Sequence, residues 1–402
     1  MANILGINFS ELNKEATLKK ADDFLNGDRG YYVVTPNPEI ILAAHKDEEF
    51  FYILNQADLS LADGMGLKIA AWLMAEKIYR ITGADFTIDL LALAERKGYK
   101  TLILNWSKGL SNSEDINISL KDKFPNLNFL VISIERNIFL SNEVIDEINA
   151  YSPSLVFNTL GFPYQEKLMY HNINKLKSVH LMLGIGGSFD FISGKIKRAP
   201  KFLRDLGLEW FWRLLNASHY KDSLKRVNRI YRATFVFMAK VLKSRYINPF
   251  LYRQNVSCFL YKKESGKIKV LLVERTDIHS HWQLPQGGTD GENLKTAGAR
   301  ELREETGIKT FESRASFKNL SKYLFPKNPI NEKSKFYKYD YKGQSQGLYI
   351  AEFLGNDNEI KINFWDHKTW QWVDLENVLN IIHPVRRESF KIFLDKFKSL
   401  NL

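Results

Sequence analysis

The order in which strand and helix patterns follow one another constrains the fold of this chain more than any other feature. Its first half holds apolar segments with the length and composition of buried strands, at 31–35, 100–105, 128–134, 155–159 and 180–184. Amphipathic helical patterns such as 67–76 and 88–97 lie between them. This alternation predicts a largely parallel α/β sheet with ligands bound at the carboxyl ends of its strands.

The pattern changes around Pro249, where we expect a linker. Beyond it, two strand patterns flank a hairpin signal at 264–267, a long helical pattern covers 292–306, and a last helix is expected near 387–397. A chain of 402 residues is longer than one hydrophobic core usually serves. The sequence therefore predicts a Rossmann-like α/β domain over 1–245 and a smaller α+β domain over 246–402.

The single cysteine, Cys258, excludes a disulfide framework and a four-cysteine zinc site, and it suits a reducing cytoplasm. The chain starts without the basic and apolar regions of a secretory signal. No stretch approaches the roughly 18 uncharged apolar residues that a spanning helix needs. We therefore expect a cytoplasmic protein, either soluble or peripheral on the inner face of the cytoplasmic membrane.

The strongest chemical signal is a glycine-rich string, GGTDGE at 287–292, followed by RELREETG at 300–307. On a helix, Glu301, Glu304 and Glu305 lie three and four positions apart, so their carboxylates share one face. Clustered carboxylates repel one another unless a cation lies among them, and oxygen ligands suit Mg²⁺ or Mn²⁺. Such an ion neutralises phosphate charge and activates water. The two strings therefore predict metal-dependent diphosphate chemistry.

Together the two strings resemble the Nudix box. Residues 250–398 are similar to the RNA pyrophosphohydrolase and dinucleoside polyphosphate hydrolase branch of that family. The other similar segments are YRQNV at 252–256, WQLPQGG at 282–288, GQSQ at 343–346 and WQWV at 370–373. The resemblance implies that the second domain is an α/β/α sandwich that hydrolyses phosphoric anhydrides with the help of a divalent metal.

The same resemblance assigns roles to residues of the two strings: Glu301, Glu304 and Glu305 bind Mg²⁺ or Mn²⁺, Glu304 and Glu305 are catalytic, and Gly287, Gly288 and Arg300 bind substrate, with Arg300 orienting the carboxylates. Asp366 falls near a position where relatives carry a further carboxylate. One departure concerns the loop before the helix, because four residues separate Gly287 from Glu292 where the family has five.

Polar motifs with glycines lie at the ends of strands or the starts of helices in the first half. They are TPNPE at 35–39, LADGMG at 61–66, RITGAD at 80–85 and GFPYQE at 161–166. Carboxyl ends of parallel strands meet at one edge of a sheet, and helix N-termini there bind phosphates. The motifs therefore predict a nucleotide-phosphate site.

With the segments GGSFD at 186–190, RAP at 198–200 and GLEW at 207–210, these motifs resemble the WecG/TagA/CpsF glycosyltransferase family over residues 3–245. The resemblance implies inverting transfer of an N-acetylhexosamine, N-acetylmannosamine in the best-known cases. The donor is a UDP-sugar, the acceptor is a polyprenyl-diphosphate-linked sugar, the pathway is cell-surface polysaccharide biosynthesis, and no cofactor is required. It makes Asp63 the catalytic base beside a catalytic Thr35, with Asn37, Arg80 and Gln165 binding substrate. The chain departs from the family at residues 105–109, where a small glycine-rich turn is usual.

A basic segment follows these motifs. Residues 195–245 hold 14 Lys or Arg and three Asp or Glu, so their excess equals the net charge of +11 of the whole chain. Within 224–243, apolar residues recur at helical spacing with cations opposite, which predicts a basic amphipathic helix. We expect the segment 213–245 to contact an anionic membrane surface. A helix docked on its own domain and an RNA-binding patch are the alternatives.

The sequence thus predicts a bifunctional enzyme, a membrane-surface glycosyltransferase joined to a Mg²⁺-dependent hydrolase of a nucleoside diphosphate-linked substrate. One alternative is an RNA 5′-pyrophosphohydrolase or dinucleoside polyphosphate hydrolase that a non-catalytic transferase-like module localises. Another is a binding module that holds lipid-linked sugar without turnover. A homo-oligomer is compatible with each of these hypotheses.

Overall fold

The computed structural model describes residues 1–200, 202–203, 212, 231–325 and 340–401. The chain divides into two compact units, Met1–Arg245 and Tyr246–Leu402. Within the described ranges, no helix has the length and apolar character needed to cross a membrane.

The first unit alternates strands and helices. Its strands are β1 Ala2–Ile4, β2 Ile7–Phe9, β3 Tyr31–Val34, β4 Leu59–Ser60, β5 Thr101–Trp106, β6 Phe129–Ile134, β7 Leu155–Asn158 and β8 Leu181–Gly184. Its helices are α1 Lys14–Leu25, α2 Pro38–Ala44, α3 Glu48–Gln56, α4 Met65–Met74, α5 Gly83–Lys97, α6 Ser113–Lys123, α7 Asn142–Tyr151, α8 Tyr164–Asn172 and α9 Ser188–Ile192.

Six of these strands form one parallel sheet in the order β4-β3-β8-β7-β5-β6. Val33, Ile103, Phe157 and Leu183 come from its central strands and are fully buried in one core. This confirms the predicted parallel α/β sheet. The sequence analysis missed the antiparallel pair β1–β2, which turns at Leu5 and Gly6 with positive φ angles.

Helix α5 begins at Gly83, five residues before the helical pattern that the sequence indicated. The side chain of Thr82 accepts a hydrogen bond from the backbone N–H of Asp85 and donates one to its carboxylate. This capping by Thr82 satisfies a backbone N–H group at the start of the helix. The helix therefore begins at Gly83, although its first turn lacks an amphipathic pattern.

In the segment 213–245 the structure describes residues 231–245, with a π-helical turn at Arg232–Val236 followed by helix α10 at Phe237–Tyr246. Residues 213–230 lie outside the described residues. The predicted apolar residues in the part described differ in burial: Val241 is buried, whereas Phe235 and Leu242 are exposed. A π-helical turn has more residues than an α-helical one, so residues before and after it no longer share the predicted face.

The second unit is built on a mixed sheet. Its strands are β9 Tyr252–Glu264, β10 Lys267–Arg275, β11 Trp282–Gln283, β12 Gln286–Gly288, β13 Phe311–Leu324, β14 Gly343–Phe353 and β15 His367–Asp374. Its helices are α11 Leu294–Thr306, α12 Val378–Ile381 and α13 Pro384–Lys398. The seven strands join in the order β11-β10-β9-β14-β13, with β12 on β9 and β15 on β10. Among these described strands, β9 and β14 pair in parallel and the other pairs are antiparallel.

Side chains of β9 alternate between two cores. Phe259 and Tyr261 pack with Phe390 of α13, whereas Cys258 and Leu260 pack with Leu302 of α11. The sheet therefore lies between two helices, as the predicted α/β/α sandwich requires. Helix α11 starts at Leu294 rather than 292.

The later start of α11 has a local cause. Asn293 accepts a hydrogen bond from the backbone N–H of Thr296 and so caps the helix, which leaves Glu292 outside it. The other end is as the sequence predicts, because Gly307 terminates the helix with a φ of 71°.

Candidate active sites

The predicted site residues of the first unit lie at the carboxyl ends of adjacent strands. Thr35 follows β3, Asp63 follows β4 and Gln165 opens the helix after β7, while β8 lies between β3 and β7. The order β4-β3-β8-β7 therefore brings segments that are far apart in sequence to one edge of the sheet.

Thr35 and Asn37 have defined local partners. The hydroxyl of Thr35 donates to the carbonyl oxygen of Gly184 at 3.2 Å, which ties the end of β3 to the end of β8. The side-chain oxygen of Asn37 accepts from the backbone N–H groups of Glu39 and Ile40 at 2.9 and 3.0 Å. Asn37 is therefore the N-cap of α2, so its amide NH₂ group is the part left to contact substrate.

Backbone contacts bring Asp63 and Arg80 close together. The N–H of Asp63 donates to the carbonyl oxygen of Pro36 at 3.0 Å, which fixes its backbone against the loop after β3. Ala62 and Arg80 form an isolated parallel β-bridge, and the N–H of Ile81 donates to the carbonyl oxygen of Ala62. A carboxylate and a guanidinium therefore come from neighbouring backbone segments at the strand-end edge.

Gln165 is buried and links two loops. Its side-chain oxygen accepts from the N–H of Gly186 at 2.9 Å, and its NH₂ group donates to the carboxyl group of Glu166 at 2.8 Å. A Cβ placed on Gly184 would lie 2.9 Å from the Gln165 nitrogen, so this close approach requires glycine. Gln165 thus positions the glycine turn after β8.

Glu166 was missed by the sequence analysis. It is 1% exposed, and burial raises its pKa to about 7, while the hydrogen bond from Gln165 lowers it. Only its position next to Gln165 in the GFPYQE motif could have indicated a role. This buried carboxyl group therefore changes its charge near neutral pH.

The segment 105–109, which departs from the family pattern, begins with Asn105 and Trp106, the last two residues of β5. Asn105 is buried, donates to the carbonyl oxygen of Ser111 and accepts from the hydroxyl of Thr159. The guanidinium carbon of Arg136 lies 3.5 Å from the ring centroid of Trp106. Arg136 also donates to the carbonyl oxygen of Leu160, next to the GFPYQE motif. Trp106 thus contacts, through Arg136, the segment that follows β7 at the same edge of the sheet.

In the second unit, Arg300 holds the carboxylates of the glycine loop and of α11. Its guanidinium donates to Glu292, Glu301 and Glu304 at 2.9, 2.8 and 2.7 Å. It also donates to the carbonyl oxygen of Gly288 at 2.8 Å. Burial alone would lower the pKa of Arg300, but the hydrogen bond and charges of these carboxylates raise it well above its usual value. Arg300 therefore stays charged.

Glu305 points to different partners. It is 4% exposed and accepts from the backbone N–H of Gln286 at 2.8 Å, and the Nε2 atom of His367 lies 3.2 Å from the same carboxylate oxygen. The sequence analysis missed His367, which the string around Asp366 could have suggested. Asp366 precedes it, and its N–H donates to the side chain of Asn363. The backbone N–H of Asn363 in turn donates to the carbonyl oxygen of Glu305.

Gly287 leaves room for a carboxylate. A Cβ placed on it would lie 1.9 Å from an oxygen of Glu301, which is itself 2% exposed. Within the ranges that the structure describes, no three His, Cys, Asp or Glu side chains form a cluster that could hold a metal ion. The reason is that Arg300 lies between Glu301 and Glu304, while Glu305 turns towards Gln286 and His367. The donor set nevertheless fits a hard divalent ion, since it consists of carboxylates around a glycine cradle.

Comparison with known proteins assigns both units. The model of the WecG/TagA/CpsF family of glycosyl transferases matches residues 2–249. The chain belongs to this family. The NUDIX domain model matches residues 251–393. The predicted families, the α/β fold class and the assignment as an enzyme are therefore confirmed, and the roles of individual site residues stay predictions.

Two relatives of the first unit share the name of one sugar transferase. An N-acetylglucosaminyldiphosphoundecaprenol N-acetyl-beta-D-mannosaminyltransferase of Bacillus subtilis is 34% identical over 197 residues, which are 48% of this chain and 75% of that protein. The Staphylococcus aureus protein of the same name is 28% identical over 249 residues, 60% of this chain and 92% of that protein. Among solved structures, an Ap4A hydrolase of C. elegans is 22% identical, covers 37% of this chain and 99% of its own, and has a TM-score of 0.27.

Proposed function

We propose that the first unit transfers N-acetylmannosamine, with inversion, from a UDP-sugar to a polyprenyl-diphosphate-linked N-acetylglucosamine in cell-surface polysaccharide biosynthesis. The names of its relatives support the acceptor and the sugar. The observation that carries the proposal is the meeting of Thr35, Asp63 and Gln165 at one edge of the sheet. Ligands of open α/β sheets bind at this edge.

Each site residue then has a step to perform. The carboxylate of Asp63 takes the proton of the acceptor hydroxyl as that oxygen bonds to the anomeric carbon, and the bond from this carbon to UDP breaks with its electron pair. Arg80 compensates the negative charge that develops on the departing diphosphate. Thr35, Asn37 and Gln165 orient the donor, Gln165 through the turn at Gly186.

We propose that the second unit hydrolyses a nucleoside diphosphate-linked substrate. Glu301, Glu304 and Glu305 would hold Mg²⁺ or Mn²⁺, which when bound neutralises phosphate charge and makes water a better nucleophile. Arg300 keeps two of these carboxylates together in the absence of the ion, and the glycines at 287 and 288 let the diphosphate approach the backbone. Fusion to a transferase favours a UDP product or a competing nucleotide sugar as its substrate.

We propose further that the first unit is peripheral on the inner face of the cytoplasmic membrane. The described part of the basic segment exposes Arg232, Lys240 and Lys243 together with the apolar Phe235 and Leu242. Exposed cations beside exposed apolar groups match an anionic bilayer surface. Phe237 and Val241 of the same helix are buried, so the proposed membrane contact uses its exposed side.

A nucleotide panel tests both activities in the purified full chain. UDP-N-acetylmannosamine with a lipid-linked acceptor should give sugar transfer without added metal, and nucleoside diphosphate-linked compounds should release phosphate products only with Mg²⁺ or Mn²⁺. Cleavage of triphosphorylated or capped RNA, without cleavage of nucleotide sugars or diphosphates, would contradict the hydrolase proposal. Light scattering in the same buffer measures whether the chain forms an oligomer.

A further inference from the structure

Helix α4 exposes large apolar side chains on its outer face. Trp72 is 77% exposed and Ile69 is 45% exposed, and their spacing of three places them on one side of the helix. The buried face holds Leu67, Ala70 and Ala71. Over Met65–Met74, Lys68 is the only charged residue. Apart from Lys68 this helix is apolar on its buried and exposed sides, and neighbouring exposed apolar groups indicate a surface that meets a partner.

The charges around this face are mainly basic. Lys68 is exposed next to Ile69, and the ammonium group of Lys77 lies 5.8 Å from the ring of Tyr79, which is 40% exposed. Glu76 is half-buried. Tryptophan and tyrosine with flanking lysines are typical of helices at the interface of an anionic bilayer. Lysine is depleted in protein–protein interfaces, so the composition favours lipid over a second copy of the chain.

A second exposed aromatic pair lies close by. Tyr231 and Phe235 are 55% and 65% exposed, and their ring centroids are 5.7 Å apart. The π-helical turn, which begins directly after Tyr231 and includes Phe235, contacts α2. A Cβ placed on Gly66, in the first turn of α4, would lie 3.9 Å from the carbonyl oxygen of Ala233. The exposed aromatic groups therefore belong to two elements that meet in the first turn of α4, at Gly66, three residues after Asp63.

We propose that the outer face of α4 is a membrane anchor. Ile69 and Trp72 insert at the headgroup boundary of an anionic bilayer, and Lys68 pairs with lipid phosphates. The inference rests on the proposed transfer to a lipid-linked acceptor, because a prenyl chain stays in the bilayer and its sugar hydroxyl has to reach Asp63 there. Since α4 begins directly after Asp63, it holds that carboxylate at the lipid surface.

Vesicle binding of the full chain tests the anchor. The probes are vesicles of phosphatidylcholine alone and of phosphatidylcholine mixed with phosphatidylglycerol, followed by flotation. Trp72→Ala and Ile69→Ser should each lower partition onto the anionic vesicles about tenfold, because each removes apolar surface from the interface. Acyl-brominated lipids should quench wild-type tryptophan fluorescence more than that of Trp72→Phe. Ile118→Ser is the matched control, since Ile118 is 62% exposed on α6, and its partition should equal that of the wild type.

The outcomes separate the anchor from its rivals. The proposal is overturned if Trp72→Ala binds the anionic vesicles as well as the wild type does. It is also overturned if Ile118→Ser loses as much vesicle binding as Trp72→Ala. If Trp72→Ala loses self-association in light scattering but keeps its vesicle binding, the outer face of α4 binds a second copy of the chain instead. With sugar transfer as readout, Trp72→Ala should lower the rate with vesicle-embedded acceptor about tenfold more than the rate with a short-chain, water-soluble acceptor. If the wild type transfers sugar to neither acceptor, the transferase proposal fails while flotation still decides the anchor.

Discussion

The two candidate sites stabilise their carboxyl groups in different ways. On α11, Glu301 and Glu304 share the guanidinium of Arg300, so their charges are compensated by a cation from the same helix. In the first unit, the buried Glu166 has its hydrogen bond from a neutral amide, and its pKa is raised to about 7. One site therefore pairs its carboxylates with a cation, whereas the other keeps a buried carboxyl group whose neutral form is favoured by burial. Mutations of acidic residues should accordingly have different consequences in the two units.

The largest effect is expected for Asp63→Asn. Asparagine keeps the shape of the side chain but cannot take the proton of the acceptor hydroxyl, so sugar transfer should fall about 10³-fold, within the usual range for loss of a general base. Initial rates with UDP-N-acetylmannosamine measure this effect. Hydrolysis by the second unit serves as the internal control and should stay unchanged. Transfer at the wild-type rate would remove Asp63 from the mechanism.

Glu305→Gln should lower hydrolysis by about 10²-fold and raise the Mg²⁺ concentration needed for half-maximal rate, because the variant loses a ligand charge. Glu304→Gln should act in the same direction, although Glu304 is half exposed and Glu305 is buried. Sugar transfer should be unaffected in both variants. A joint loss of transfer and hydrolysis would show that the two units do not act independently.

The proposed metal site of the second unit is local in sequence, so its residues could be named from the sequence alone, and their roles stay predictions. The three glutamates, Arg300 and the glycines lie on one helix and the loop before it, so helical spacing places the glutamates on consecutive turns. The sequence could not predict that Arg300 would lie between Glu301 and Glu304, since this depends on side-chain conformation. His367 was missed because β15 reaches Glu305 only through the tertiary fold.

The first unit was predictable at a coarser level. Alternating patterns gave the parallel sheet, but the order β4-β3-β8-β7, which gathers Thr35, Asp63 and Gln165, follows from long-range strand pairing. The role of Asn37 as the cap of α2 and the burial of Glu166 were not visible in the motifs. The π-helical turn at Arg232–Val236 also changed the predicted apolar face, since periodicity assumes a constant number of residues per turn.

Glu166→Gln should change the pH dependence of stability. Because burial raises the pKa of Glu166 to about 7, the wild type is destabilised as pH rises from its unfolded pKa near 4.5 through 7. The loss amounts to about 3 kcal/mol on the scale of 1.36 kcal/mol per pKa unit. Glutamine is neutral throughout and can still accept the hydrogen bond from Gln165. Denaturant unfolding of the variant should therefore show more stability than the wild type at pH 8 and little difference at pH 4. If the unfolding free energies of the two proteins change with pH in the same way, Glu166 is not buried in its charged form above pH 7.

The smallest effect is expected for Gly287→Ala. This variant tests whether metal binding on α11 needs the space that Gly287 leaves for the carboxylate of Glu301. The new Cβ would lie 1.9 Å from an oxygen of Glu301, so the carboxylate has to move away from its contact with Arg300. A carboxylate is the end of a flexible chain and can yield, so Mg²⁺ affinity should fall by only about tenfold, comparable to the loss of a supporting partner around a metal. Gly291→Ala is the control, because Gly291 has a φ of +87° and open space around its Cα, so alanine strains the same loop without touching a carboxylate. Hydrolysis rates measured over a series of Mg²⁺ concentrations should give a lower Mg²⁺ affinity for Gly287→Ala than for Gly291→Ala. An equal loss of affinity in both variants would show that the loop conformation, rather than the room for Glu301, controls metal binding.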